Sequence, residues 1–342
     1  LLRASIASAS NDHRLGANEA PPAIMSIFLG GQLSSVLDEI VQMVNDKKMS
    51  ADEKTALKLN IGKIPEILLD NTDRNRTSPF AFTGNKFEFR AVGSSANCSN
   101  AMMVLNTIVT NQLISFKKEV DQLIDKGTKK DEAILKVLRQ YIVESKNIRF
   151  EGNGYGDEWV KEAEKRGLSN IQTTPLALDA YVSKSTLQLF DDLNIFSHRE
   201  VEARHEILLE TYIKKIQIES RIMGDLAINH IIPAAVRYQT ELASNVEKLN
   251  NIKAGADTTK TQMQMITEIS GHLNGINKLV DEMIEARKKA NKQENIRTRA
   301  ITYCDEVKAF FEPIRDHVDA LEMLVDDEIW PMAKYRELVT IR

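Results

Sequence analysis

The sequence predicts an α+β fold in which a mixed first part is followed by a mainly helical bundle. Short apolar runs and one alternating charged strand lie in the first third of the chain. From about residue 128 onward, proline and glycine become sparse and apolar residues recur with the 3.6-residue period of an α-helix. We therefore expect a first domain over residues 1–127 and a helical second domain over residues 128–342.

The first part combines short predicted strands with two predicted helices. Residues 23–29 form an apolar run between a proline and a glycine, which indicates a buried strand. Residues 33–44 carry apolar side chains on one helical side. A charged strand is expected over residues 87–92, and residues 101–124 predict a long helix that ends at Gly127.

The second part is dominated by helices. The periodic pattern predicts helices over residues 132–145, 158–166 and 199–230, with a loop over residues 150–156. Pro233 should kink or break the third of these helices, because proline lacks the amide proton that the helix ladder needs.

Two apolar seams near the end of the chain step by three and four residues, which is typical of helical bundles or short antiparallel coiled coils. Pro313 lies inside the second seam and should bend that helix. The first seam comprises Ile266, Ile269, Leu273, Ile276, Val280 and Met283, and the second comprises Ala300, Cys304, Val307, Phe311, Ile314, Val318, Leu321 and Val325.

The composition is that of an ordinary soluble protein and excludes several classes. The net charge of −4 gives no reason to expect nucleic acid or an anionic membrane as a partner. No apolar run approaches the roughly 20 residues needed to cross a bilayer. Two cysteines are too few for a disulfide framework, so we expect a reducing cytoplasm.

The charged strand Lys86-Phe87-Glu88-Phe89-Arg90 is the main candidate for chemistry. Side chains two apart share one face of a strand, so the two phenylalanines should point one way, onto a face that can pack on a core, while the charged residues point the other way. A carboxylate between two cations can bind a metal and a phosphate together. The alternative is a surface strand with a salt-bridged face.

The loop over residues 14–22 is the second candidate. Gly16 permits motion, two prolines anchor the end of the loop, and Glu19 is its single acidic residue. Such a loop can act as a flap that excludes water and delivers a base, although a plain solvent loop has the same composition.

Other common catalytic patterns are absent from the sequence. The run Gly152-Asn153-Gly154-Tyr155-Gly156 has the wrong spacing for dinucleotide binding and is interpreted as a flexible loop. The six histidines form no pair with metal-ligand spacing, and no Walker loop or Ser-His-Asp pattern is present.

Four segments, taken in order, resemble the last part of the glutamine synthetase catalytic domain. The resemblance is to the long type III form. The part of the match that contains these motifs covers about residues 1–100. The helical remainder resembles the C-terminal extension of that type. The segments are SNDHRLGANEAPP (10–22), NRTSPFAFTG (75–84), FEFR (87–90) and SSAN (94–97).

The resemblance implies a ligase that joins ammonia to L-glutamate with ATP and Mg²⁺ or Mn²⁺. Glu88 matches a carboxylate that binds a divalent metal beside the ATP phosphates. Arg14 and Arg90 match arginines that hold glutamate. Glu19 matches the flap glutamate that takes a proton from ammonium, and Arg76 matches the arginine that meets the transferring phosphoryl group.

The chain also departs from the family pattern. The commoner types carry a second arginine five places after the one matched by Arg76, where this chain has Ala81. Lys86 is the only basic residue between that place and the metal strand, so Arg76 and Lys86 are the candidates for nucleotide binding. The remaining metal carboxylates and the metal histidine have no match, and we expect them upstream of Leu1.

Two alternatives remain open from the sequence. The heptad seams are compatible with a helical assembly module without activity, and the missing ligands lead us to expect that these residues alone are inactive. A related ligase that uses another amine would share the same motifs. The resemblance implies a homo-oligomer, assembled as a large ring, as the working form.

Overall fold

The computed structural model describes residues 1–12, 23–42, 78–84, 86–92, 97–253 and 255–340. The chain divides into two compact units, Leu1–His205 and Glu206–Arg342. The described residues are mostly helical and include a three-stranded sheet, which agrees with the predicted α+β class. The bundle arrangement and the domain division after residue 127 stay predictions.

The first unit contains the sheet and a series of helices, of which the two long ones before residue 127 were predicted. The strands are β1 (Ile27–Phe28), β2 (Phe80–Phe82) and β3 (Phe87–Phe89). The helices are α1 (Leu2–Ser5), α2 (Gly31–Gln42), α3 (Ser99–Asp125), α4 (Lys130–Glu144), α5 (Asp157–Lys165), α6 (Thr174–Leu178) and α7 (Lys184–Asp192).

Six further helices follow in the described part of the chain, and the predicted periodic segments account for four of them. They are α8 (His198–Leu226), α9 (Ile232–Asn251), α10 (Lys260–Asn291), α11 (Ile296–Thr302), α12 (Phe311–Leu324) and α13 (Tyr335–Val339).

The sheet has the order β1-β2-β3. Strand β1 pairs in parallel with β2, and Ile27 lies opposite Phe80. Strand β2 pairs antiparallel with β3, and Phe80 lies opposite Phe89. The predicted strand over residues 23–29 is thus only two residues long, although several of its side chains are buried as expected.

The segment before β1 is buried on two sides. Ala23 belongs to a cluster with Ile6 and Ala101, against which Phe89 packs. The next residue, Ile24, belongs to a different cluster with Trp159. Adjacent residues in an extended chain point in opposite directions, so this short segment links two cores without a long strand ladder.

Helices α3 and α4 form a helical hairpin around a small core of Val120, Ala133 and Val137. The turn between them ends α3 at Gly127, which has a φ of +89°. The Gly127 amide donates to the Ile124 carbonyl at 2.8 Å, and the following amide reaches back to close the helix end. Only glycine adopts this left-handed conformation at low cost, which confirms the predicted helix end.

Both predicted apolar seams are buried in the second unit. Helix α10 packs against α9 and α12, and its seam lies where these helices meet. The seam residues with the lowest exposure are Ile269, Ile276, Val280, Met283, Ala300, Val307, Ile314 and Leu321.

The two prolines change the helix type and do not end the helical path. A π-helical turn over Ala227–Ile231 precedes α9, whose second residue is Pro233. A π-helical turn over Tyr303–Val307 and a 3₁₀ turn over Lys308–Phe310 precede α12. Proline lacks the amide donor and crowds the preceding turn, so the wider turn replaces the predicted break.

A buried arginine ties the start of the chain to the segment before α6. Arg3 is only 6% exposed, and its guanidinium donates to the carbonyls of Ile171 and Gln172 at 3.1 and 3.2 Å. It also donates to the side chain and the carbonyl of Asn11 at 3.3 and 3.2 Å. Burial lowers the pKa of Arg3 to about 10, so it remains a cation at neutral pH.

Asp12 completes this network. Its Oδ1 accepts a 2.7 Å hydrogen bond from the Thr174 amide, while the Thr174 hydroxyl donates to the Ser8 carbonyl at 2.7 Å. The Asp12 charge opposes the lowering of the Arg3 pKa. Residues 1–12 are therefore held by polar contacts directly before the predicted flap in the sequence.

We expect Arg3→Met to destabilise the first unit by about 2–4 kcal/mol, because several buried acceptors would lose their donor. Urea unfolding followed by circular dichroism and tryptophan fluorescence measures the change. The control is Arg199→Met, at an exposed position of α8, which should change the free energy of unfolding by less than about 0.5 kcal/mol. Equal effects of the two substitutions would contradict a structural role for Arg3.

Candidate active site

Strand β3 carries Glu88 between two cations. Glu88 Oε1 lies 3.1 Å from Lys86 Nζ. Glu88 Oε2 lies 3.1 Å from Arg90 Nε and 3.0 Å from Arg90 Nη2. Both carboxylate oxygens thus contact a cation, as the two-residue alternation of the strand predicts.

These contacts keep Glu88 ionised. Hydrogen bonds from Lys86 and then from Arg90 hold the pKa of the Glu88 carboxyl below its usual value. Its side chain is 36% exposed, so a ligand can reach it. An ionised, accessible carboxylate is the kind of oxygen donor that Mg²⁺ and Mn²⁺ prefer.

The two phenylalanines of β3 behave differently from each other. Phe89 packs against the core cluster of the first unit, as predicted. Phe87 also lies against Phe80, at 5.4 Å between ring centroids, but it is 51% exposed, so the core does not cover it. On the face that carries the phenylalanines, the core therefore covers only the end of the sheet at Phe89.

The turn between β2 and β3 fixes the position of Lys86. The Thr83 amide donates to the Lys86 carbonyl at 2.9 Å, and Gly84 in the turn has a φ of +90°. The Arg90 amide donates to the Pro79 carbonyl at 2.8 Å, which extends the antiparallel pairing by one step. The backbone on both sides of Glu88 is therefore held by β2.

Three of the six predicted site residues lie together. Lys86, Glu88 and Arg90 form one contact group on β3. The other three, Arg14, Glu19 and Arg76, lie outside the described residues, and so does the predicted flap. Their roles stay predictions, as do the metal, glutamate and nucleotide roles of the group on β3.

The described residues do not by themselves form a metal site. Among them, no group of three or more His, Cys, Asp or Glu side chains could hold a metal ion. Glu88 has suitable chemistry for one ligand, and further ligands would have to come from elsewhere.

None of the described helices is long and apolar enough to cross a membrane.

Sequence reasoning did not identify the Arg3 and Asp12 network that precedes the predicted flap. Its contacts join residues more than 160 positions apart, and no local pattern indicates such a pairing. The one available signal was a lone arginine inside the small and apolar run of residues 1–8. A charge in such a run is buried only when it is fully paired.

Comparison with known proteins identifies similar sequences along the whole chain. Residues 133–250 match the family model described as the glutamine synthetase C-terminal domain. A glutamine synthetase of Bacteroides fragilis (strain YCH46) is 54% identical over 342 residues, which is 99% of this chain and 47% of that protein.

Two further relatives also match almost the whole of this chain. The type-3 glutamine synthetase of Dictyostelium discoideum is 38% identical over 100% of this chain and 46% of its own length. A glutamine synthetase of Butyrivibrio fibrisolvens is 34% identical over 99% of this chain and 47% of its own length. The chain thus spans about half the length of the curated relatives it matches, and the predicted resemblance is confirmed.

Removing the Lys86 charge should raise the pKa of the Glu88 carboxyl, because the Lys86 hydrogen bond is the largest cause of its lowering. We expect Lys86→Met to move the titration midpoint of Glu88 upward, as followed by ¹³C NMR of labelled glutamate carboxyls with Glu88→Gln for assignment. Lys117→Met, which removes an exposed ion pair with Asp121, is the control. An unchanged Glu88 midpoint in Lys86→Met would show that the contact is not formed in solution.

Proposed function

We propose that the complete protein is a glutamine synthetase, which joins ammonia to L-glutamate with the hydrolysis of ATP to ADP and phosphate. The observation that carries the proposal is the ionised Glu88 carboxylate, which the β3 backbone holds between Lys86 and Arg90. The similarity to glutamine synthetases along the whole chain supports the same conclusion.

The proposed reaction has two steps. The side-chain carboxylate of glutamate attacks the γ-phosphorus of ATP, which forms glutamyl phosphate and releases ADP. Ammonia then attacks the acyl carbon, the bond from that carbon to the phosphate oxygen breaks, and glutamine and phosphate are formed. Positioning of the reactants and neutralisation of their charge are the main tasks of the protein.

Glu88 is the proposed ligand for Mg²⁺ or Mn²⁺ on this chain. A bound divalent ion supplies positive charge beside the ATP phosphates. The Glu88 oxygens contact Lys86 and Arg90 in the structure, so metal binding would replace at least one of these contacts. Lys86, whose side chain is 63% exposed, is the one of the two with more freedom to move away toward the nucleotide.

The arginines are proposed to bind the two anionic substrates. Arg14 and Arg90 would hold the glutamate carboxylates through paired N–H donors, and Arg76 would meet the transferring phosphoryl group. Arg90 is well suited to a fixed position, because its side chain is only 26% exposed and its amide is held by Pro79. Together with Lys86, Arg76 would also contact the nucleotide.

Glu19 is the proposed base. It would take a proton from ammonium, which yields the uncharged nucleophile, while its loop closes the site against water. The buried network of Arg3 and Asp12 supports this role, since it would fix the chain directly before that loop. A rigid anchor beside a mobile loop limits where the loop can close.

The working form is proposed to be a ring-shaped homo-oligomer located in the cytoplasm. Because the chain spans about half of its relatives, residues 1–342 alone are proposed to be inactive. A ligase for a different amine would share Glu88 and the arginines, so turnover with ammonia compared with polyamines distinguishes that alternative from the proposed reaction.

The direct test is Glu88→Gln in the complete protein, assayed for glutamine formation over a range of Mg²⁺ concentrations. Loss of a metal ligand should lower kcat by about 100-fold or more and raise the Mg²⁺ concentration needed for half-maximal rate. Glu202→Gln, at an exposed position of α8, is the matched control and should leave both values unchanged. Near-normal turnover and metal dependence in Glu88→Gln would overturn the metal assignment.

A further inference from the structure

A second charged site lies in the first unit, at the start of α2. A cavity of about 310 Å³ is lined there by three cations, Lys146, Arg149 and Arg166, and by two acids, Asp38 and Glu151. Its volume is at the lower end of the range for small-ligand sites. The contacts that each charged group already makes indicate what this cavity can bind.

Glu151 is already engaged by the helix start. Its Oε2 accepts a hydrogen bond from the Gly30 amide at 2.9 Å. Its Oε1 accepts from the Leu29 amide at 3.2 Å and from the Ser34 hydroxyl at 2.8 Å. The carboxylate therefore caps the N-terminus of α2, where negative charge is favoured.

Arg149 is deeply placed and weakly paired. Its side chain is 11% exposed, and Nη2 lies 3.6 Å from Asp38 Oδ1, which is longer than a hydrogen bond. The Asp38 side chain is itself 53% exposed. Within the described part of the chain, Arg149 Nε is buried without a hydrogen-bond partner. A buried guanidinium is costly unless its charge and its donors are matched.

Arg166 gives the cavity a fixed wall. Its Nη1 donates to the Arg149 carbonyl at 2.8 Å, and Nη2 pairs with Glu162. The guanidinium also lies over the rings of Phe150 and Trp159, at 5.7 and 5.3 Å from their centroids. Hydrogen bonds and ring contacts on several sides hold this cation in place.

Lys146 adds a mobile charge to the same cavity. It is exposed, in the 3₁₀ turn Ser145–Ile148, and lines the cavity together with Arg149. Glu162 is engaged by Arg166, and Asp38 lies 3.6 Å from Arg149. Three cations and two acids line the cavity, so its lining has a surplus of one positive charge.

We propose that this cavity binds a small oxyanion, a carboxylate or phosphate group, held by Arg149 and Lys146. The planar guanidinium matches two oxygens of such a group, and the ammonium adds a flexible point charge. Binding of the oxyanion supplies the charge partner that Asp38 provides only at 3.6 Å.

This site is separate from the one around Glu88. Arg149 forms a bridge with Ile27 of β1, whereas Glu88 lies on β3, two strands further across the sheet. The path from Arg149 to β1, then to β2 and then to β3 crosses three spacings between neighbouring backbones, which correspond to about 14 Å. The oxyanion is therefore not the glutamate or the phosphate of the proposed reaction, and its binding can be tested without activity.

The test is hydrogen exchange followed by mass spectrometry on the complete protein. Inorganic phosphate and succinate are each titrated against sodium chloride at the same ionic strength. We expect saturable protection of the amides around residues 29–38 and 146–151 by at least one of the two anions. Protection by phosphate alone identifies a phosphoryl ligand, and protection by succinate alone identifies a carboxylate.

Three variants make the test specific. Lys146→Gln should weaken the apparent affinity by roughly two- to fivefold, because it removes one exposed charge contact. Lys161→Gln, at an exposed position of α5, and Arg90→Gln, on β3, should leave the affinity unchanged. Arg149→Gln should abolish binding but can also disturb folding, so Lys146→Gln decides.

The proposal is overturned if neither anion protects these amides beyond sodium chloride. It is also overturned if Lys146→Gln and Lys161→Gln bind equally well, or if Arg90→Gln removes the protection.

Discussion

The antiparallel pairing of β2 with β3 is the constraint on which the candidate active site depends. It places Phe80 opposite Phe89 and Ala81 opposite Glu88, so the register decides which side chains face the core. A slip of one residue would exchange Glu88 with its apolar neighbours. Because Phe89 is fixed in the core cluster, Glu88, Lys86 and Arg90 are forced onto the other face, where their charges meet.

Three arginines of the first unit show how the same side chain can have different roles. Arg3 is buried with its donors matched by carbonyls, which is a structural role. Arg90 lies beside an accessible carboxylate, which suits substrate binding. The Arg149 side chain is 11% exposed and lies 3.6 Å from its acidic partner, Asp38, which suits the binding of a charged ligand. Pairing and exposure distinguish the three roles, whereas the residue type alone does not.

The sequence predicted the helices well, because their apolar period reflects burial directly. The seam residues Ile269 and Ile276, for example, are fully buried. It overestimated the strand over residues 23–29, where burial in two different cores produces an apolar run without a ladder. It could not predict that Phe87 is exposed, since alternation gives the face of a side chain but not the extent to which that face is covered. The networks around Arg3 and Arg149 join residues that are far apart in the sequence, so no local sequence pattern indicates them.

The most direct measurement is a structure of the complete protein with Mg²⁺ and a non-hydrolysable ATP analogue. We expect a Glu88 carboxylate oxygen about 2.1 Å from a metal ion that also contacts the phosphates, with at least one contact to Lys86 or Arg90 replaced. A metal–nucleotide complex in which Glu88 keeps both of those contacts and lies away from the metal would show that Glu88 is not a metal ligand.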